Sequence, residues 1–302
     1  MNDHFRYRPH CPLCRSNRKN VLISRDFSDP SVFTFIDQYY EGRIGRDILA
    51  GAEFEVIACP DCGFLWQSHI LNDEMMLKLY EEWISPEQSL AKKAKAPVSL
   101  YSRYADQIRN IGFFFSGGPH EIQVLDFGMG WGIWCLMAKA FGYKVYGFEI
   151  SKDRVVYARS NTIEVIDSMK ALRERRFDFI NADQVFEHLP NPRDTLEELT
   201  HTLKPEGILR IAVPNGEGLD QELKMPGWKA SKNALHPLEH INCFTVGTLK
   251  ALAHSAGLNF SDISAASLPQ KFSSGALRDP GVDLTSSVDH KASPALDLYF
   301  RK

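Results

Sequence analysis

Two stretches of this sequence carry side chains whose type and spacing could do chemistry. The first is a pair of knuckles, Cys11-x-x-Cys14 and Cys59-x-x-Cys62. Two thiolates at this spacing can face one ion, and two such pairs complete a tetrahedral zinc site. Pro12 and Pro60 lie inside the loops, and Gly63 follows Cys62, where a tight knuckle takes a positive φ. The 44 residues between the pairs (15–58) exceed the commonest spacing of about 15–20. Loop closure tolerates such an excursion because its cost rises slowly with length. Four thiolates leave no open position, so the zinc expected here is structural. His10 and His69 neighbour the pairs and are expected to be bystanders. Cys135 and Cys243 stand alone in apolar surroundings and read as small core residues.

The second stretch is Val124-Leu-Asp-Phe-Gly-Met-Gly-Trp-Gly-Ile133. It follows a predicted strand and opens a predicted helix, the context of a backbone cradle around a ligand. Gly128 and Gly130 permit close approach of a ligand to the main chain. Glu149, at the end of the next predicted strand, can accept hydrogen bonds from both hydroxyls of an adenosine ribose. A dinucleotide fingerprint, GxGxxG, would place its third glycine at 133, where this chain has Ile133. The loop also carries an acid, Asp126, which would repel a pyrophosphate but suits a sulfonium and an α-ammonium group. The chemistry points away from NAD and toward S-adenosylmethionine.

With these residues in view, the chain resembles the class I S-adenosylmethionine-dependent methyltransferases. Asp126-Phe-Gly-Met-Gly-Trp-Gly132 with Glu149 is similar to their first two motifs. Phe177 to Asn191 is similar to their fourth strand and following loop, and Leu203-Lys-Pro-Glu-Gly207 to the turn before the fifth strand. His236-Pro-Leu-Glu-His-Ile-Asn-Cys-Phe-Thr245 is similar to a segment of a subgroup acting on small molecules. The resemblance covers roughly residues 117–265. Two knuckles ahead of such a domain are similar to sugar C-methyltransferases and their relatives, whose usual additional C-terminal domain this chain is expected to lack. The resemblance implies that Asp126, Gly128 and Gly130 lie along the methionine moiety and that Glu149 holds the ribose. It further implies that Asp167 and Ser168 flank the adenine, and that Asp183 and Gln184 lie near the sulfonium and the acceptor.

Methyl transfer displaces an already activated leaving group in line, so much of its catalysis is positioning. What remains is to orient or deprotonate the nucleophile, a task suited to histidine. His188, His236 and His240 fall on loops at the C-terminal edge of the predicted sheet, where open α/β folds bind ligands. The resemblance implies that the Glu239-His240 pair faces the acceptor. Tyr80 and Tyr104 read as helix-core residues.

These residues must be positioned by three blocks and a tail. Residues 1–70 form a small zinc-ribbon-like module with short strands over 20–23 and 53–58 and a helix near 31–40. Residues 71–116 form a helical linker or lid, with Asn72 as N-cap; its Ala91–Ala96 lysine run reads as a solvated face. Residues 117–270 alternate strands and helices, which means βαβ units and a parallel, Rossmann-like α/β sheet. Residues 271–302, rich in Ser, Pro, Ala and Asp, read as a tail of uncertain order.

Composition agrees with a globular enzyme. The 302 residues are 44% apolar and 24% charged, with 38 acids against 35 Lys and Arg. That balance gives no electrostatic case for nucleic acid or an anionic membrane, and no segment reads as a membrane helix or signal peptide. A cytoplasmic enzyme with a small-molecule methyl acceptor is expected, its oligomeric state left open. The competing readings are a non-catalytic zinc-ribbon and methyltransferase-like module that recruits a partner, and a nicotinamide-dependent oxidoreductase.

Overall fold

A computed structural model describes residues 2–262 and 295–302. Its centre is a seven-stranded sheet in the order Asn259–Ser261, Ala295–Arg301, Leu203–Pro214, Phe177–Asp183, Gln123–Phe127, Lys144–Phe148, Glu164–Ile166. The five strands from Leu203–Pro214 to Glu164–Ile166 pair in parallel. Ala295–Arg301 runs antiparallel to both of its neighbours. The chain steps outward from Gln123–Phe127 to Lys144–Phe148 and Glu164–Ile166, then crosses back to Phe177–Asp183 on the other side. Strand order therefore reverses beside Gln123–Phe127, and the crevice at the C-terminal ends there is where such sheets bind ligands.

Local sequence explains the elements. The parallel strands are near-continuous apolar runs, as strands buried on both faces must be, and Leu125, Ile180, Leu209 and Ile211 are all fully buried. Helix Pro192–Thr202 begins with Pro, whose missing N–H costs nothing there. Asn72 caps helix Asp73–Lys78 through an Oδ1 that accepts from the Met75 amide at 2.8 Å. That helix runs on as a π-helical turn, Leu79–Trp83.

Two sequence expectations change. Residues 295–301, assigned to a tail, are a strand between two others; alternation of buried Leu296, Leu298 and Phe300 with half-buried neighbours marks it. Residues 271–294 of that expected tail lie outside the described residues. The Lys204–Gly207 turn is an irregularity inside one strand, with the register shifting between Leu203 and Ile208 and Glu206 at φ 62°.

The cysteine-bearing block also shares a sheet and a core with later segments of the chain. Its sheet runs Asn20–Asp26, Glu53–Ala58, Leu65–Gln67, and the last of these pairs with Asn242–Cys243 from far along the chain. Arg8 is buried at the seam. Its guanidinium donates to the carbonyls of Gln67, Ile241 and Pro190 and to Asn242 Oδ1, at 2.6–3.1 Å. Phe64 and Phe244 pack with ring centroids 5.0 Å apart, both fully buried, each worth about 1.5–3 kcal/mol of burial. Among the described residues no helix is long and apolar enough to cross a membrane.

Candidate active site

The glycine loop leaves strand Gln123–Phe127 and enters helix Ile133–Ala140. Gly128 has φ 76°, and a Cβ there would come within 2.6 Å of Val185 Cγ2, so both conformation and space demand glycine. Gly130 has φ 56° and open space where a Cβ would stand. Beside the loop is a cavity of about 280 Å³ lined by Asp126, Gly128, Gly130, Asp183 and Gln184 among others. These are five of the eight residues expected to contact the cofactor.

Asp126 is buried beneath this cavity. Its Oδ1 accepts from Asn181 Nδ2 at 2.7 Å, and the Cys135 thiol approaches Oδ2 at 3.7 Å. Burial pushes its carboxyl up to about 7, opposed by the Asn181 hydrogen bond and reinforced by the charge of Asp183. Glu149 is also buried. One oxygen accepts from the amides of Ile150 and Ser151, and the other from the Gly130 amide at 3.0 Å with Arg154 Nη1 3.6 Å away. Glu149 thus ties the glycine loop to the end of the neighbouring strand.

Asp167 and Ser168 follow strand Glu164–Ile166 but do not line the cavity. Asp167 is exposed and paired with Arg159 at 2.8 Å. Ser168 Oγ caps helix Met169–Arg173 by accepting from the Ala171 amide. The cavity instead has contributors that sequence reasoning missed. Lys93, placed in a solvated run, lines it together with Ser89 from helix Pro86–Ala94, and Tyr104, taken as core, does so too. Trp131 Nε1 donates to Ser89 Oγ at 3.1 Å, holding that helix over the glycine loop. An amphipathic count could not have found Lys93, because its face is set by how the short helix docks.

The expected catalytic residues converge. Strand Phe177–Asp183 leads through Gln184 into the tight turn Phe186–His188, which meets the loop carrying His236, Glu239 and His240. Ring centroids of His188 and His240 are 5.0 Å apart, and those of His236 and His240 5.4 Å. Each imidazole has Nδ1 on a backbone carbonyl: His188 on Glu239, His236 on Pro237 and His240 on Asn233, at 3.0, 2.7 and 2.6 Å. A carbonyl only accepts, so each Nδ1 carries the proton and each Nε2 presents a lone pair. Burial lowers His188 to about 3, and His236 and His240 to about 4. Tyr40 donates its hydroxyl to Glu239 Oε1 at 2.6 Å, so the cysteine-bearing block reaches into the cluster. Glu187 was not singled out as a site residue by sequence. Its carboxyl is 1% exposed, both oxygens lack a hydrogen-bond partner, and burial raises it well above the usual carboxylate range.

The four knuckle cysteines also come together. Cys11 and Cys62 sulfurs are 3.7 Å apart and those of Cys14 and Cys59 3.5 Å. A zinc tetrahedron with bonds of about 2.3 Å has edges of roughly 3.8 Å; these two distances are close to that, and all four sulfurs lie within 4.8 Å of one another. Cys135 and Cys243 are buried core residues, apart from this cluster.

The chain is similar to known proteins over much of its length. Residues 99–262 match the family described as methyltransferase domain. The ubiquinone biosynthesis O-methyltransferase of Serratia proteamaculans (strain 568) is 25% identical over 170 residues, which are 49% of this chain and 70% of that protein. Its namesake from Glaesserella parasuis serovar 5 (strain SH0165) is 30% identical over 107 residues, 31% of this chain and 45% of the relative. Among solved structures, a SAM-dependent methyltransferase from Archaeoglobus fulgidus is 17% identical with a TM-score of 0.43, covering 72% of this chain and all of that one.

Proposed function

This chain belongs to the methyltransferase-domain family, as an S-adenosylmethionine-dependent class I methyltransferase, and on that premise we propose that it methylates an oxygen or carbon of a small-molecule acceptor. The observation that carries the reading is continuity. Asp183 and Gln184 line the cofactor cavity, and the next residues form the Phe186–His188 turn that meets Glu239 and His240. The strand end that lines the cavity thereby runs straight into the turn against which Glu239 and His240 pack. The names of the matched relatives, ubiquinone biosynthesis O-methyltransferases, favour oxygen over carbon. A sugar or natural-product scaffold remains the acceptor class that the resemblance suggests.

The bound cofactor supplies an electrophilic methyl group on a sulfonium. Asp126 would hold the α-ammonium and Glu149 the ribose hydroxyls, with the backbone at Gly128 and Gly130 beside the methionine chain. The open space at Gly130 and the cavity fit a group of this kind. Glu239 and His240 hold the acceptor and assist loss of its proton, with Tyr40 fixing the Glu239 carboxyl. The four cysteines hold a structural zinc that braces the seam between the first block and the large sheet.

Isothermal titration of S-adenosylmethionine and S-adenosylhomocysteine into the wild type and Glu149→Ala tests the cofactor site. Micromolar binding, lost in the variant, is expected. Transfer of labelled methyl to a panel of hydroxylated small molecules, diminished in His240→Ala, then tests the reaction. No binding to zinc-replete wild type would overturn the reading in favour of a non-catalytic recruiting module.

A further inference from the structure

We propose that Glu187, His188 and His240 form a second metal site, separate from the four cysteines, for a divalent transition ion. The inference rests on the methyltransferase reading for its role but not for its geometry. One ligand atom from each of the three residues lies within 4.8 Å of the others, so small side-chain rotations gather them around one ion with bonds of about 2.0–2.2 Å. Each imidazole meets a second requirement of a metal ligand. The Nδ1–H of His188 and of His240 is spent on a backbone carbonyl, which fixes the ring and leaves the Nε2 lone pair for the ion.

The independent observation is Glu187. A carboxyl 1% exposed with neither oxygen partnered costs several kcal/mol unless something charged or donating meets it. A cation would meet it. His188 Nε2 is 3.8 Å from Glu187 Oε1, and the His188 side chain is 20% exposed, which gives an ion a way in. His236 stays outside the set: its Nε2 is unpartnered and lies 3.6 Å from Glu239 Oε1.

Two nitrogens and a carboxylate suit manganese, iron or zinc, rather than the all-oxygen preference of calcium. Three protein ligands also leave positions open on the ion. An acceptor hydroxyl entering one of them would bind beside the cavity with its O–H acidified. His240 would then act as an ion ligand in place of its part in proton removal, and Glu239, adjacent to the set but not in it, is left to receive the proton.

The test uses the zinc-replete full chain and Mn2+, which avoids thiolates, with free Mn2+ read by electron paramagnetic resonance. The expected result is about one Mn2+ bound per chain, as a single three-ligand site requires. Glu187→Gln and His240→Gln should each weaken binding at least ~10-fold, since even outer-shell changes cost that much. Retained zinc content and S-adenosylmethionine affinity certify that the variants are folded. Should a variant not fold, the wild type decides by Co2+ substitution: visible bands without thiolate charge transfer support the site. Absence of Mn2+ and Co2+ binding beyond the cysteines, or equal binding in folded variants, overturns it. Because neither readout needs turnover, ion binding without methyl transfer would sink only the functional reading. Transfer without ion binding would sink only this site.

Discussion

Asn181 joins Asp126 to Arg210 across three adjacent strands. Its Nδ2 donates to Asp126 Oδ1 and its Oδ1 accepts from Arg210 Nη1, each at 2.7 Å. Arg210 is in turn held by both oxygens of Asp297 at 2.7 Å. The acid beneath the cofactor cavity is therefore fixed by a chain of hydrogen bonds that begins on the C-terminal strand.

With Asp126 in its proposed role on the cofactor's α-ammonium, that arrangement should make cofactor affinity depend on pH. Asp126 is raised to about 7 by burial, so the folded, unliganded protein binds more protons there than the unfolded chain does. The stability this protonation contributes is full below about pH 4 and lost as pH rises through about 7. Binding an α-ammonium needs the ionised form. Affinity for S-adenosylmethionine should therefore fall below pH 7 by up to about tenfold per pH unit, and Asp126→Asn should be weak and flat with pH. Titration calorimetry from pH 6 to 8 checks both.

The far end of the chain should matter for stability. Arg210 is 3% exposed, and removing Asp297 leaves its buried charge to Asp183, 3.3 Å away, and the Asn181 amide oxygen. Asp297→Ala should cost about 2–3 kcal/mol, less than a fully buried pair because Asp297 is partly exposed. A double change, Arg210→Met with Asp297→Leu, should recover much of that loss. Urea unfolding of the two variants measures the difference.

Arg8 is the test of whether the cysteine-bearing block is part of the catalytic body. Arg8→Ala frees four acceptors at the seam and should cost about 2–4 kcal/mol in urea unfolding. Arg8→Lys should not restore it, since an ammonium cannot span the same fork of carbonyls.

Removal of the zinc proposed for the four cysteines should be felt beyond the knuckles. Cys11 and Cys59 are buried in the same hydrophobic cluster as Phe127, Phe186 and Phe244. Chelation, or Cys14→Ser, should lower the melting temperature of one cooperative transition by on the order of 5 °C or more. Two separate transitions in scanning calorimetry would contradict a shared core.

Much of the site is legible in the residues themselves. The Asp126 to Gly132 loop and the two CxxC pairs are local patterns, in which a few consecutive residues fix both conformation and chemistry. The βαβ alternation follows from apolar runs of strand length between helical ones, and it placed Glu149 at a strand end and His188 on a loop at the C-terminal edge of the sheet. The tertiary structure decided everything that depends on register between distant segments. Asn181 meets Asp126 across 55 residues and Asp297 meets Arg210 across 87, and no local periodicity encodes which strand lies next to which. The same holds for Lys93, whose helix docks on Trp131, and for Arg8, whose acceptors span positions 67 to 242. It holds also for Glu187, which gains its place beside His240 only when two loops fold together. Local sequence sets what a residue can do, and long-range packing sets what it faces.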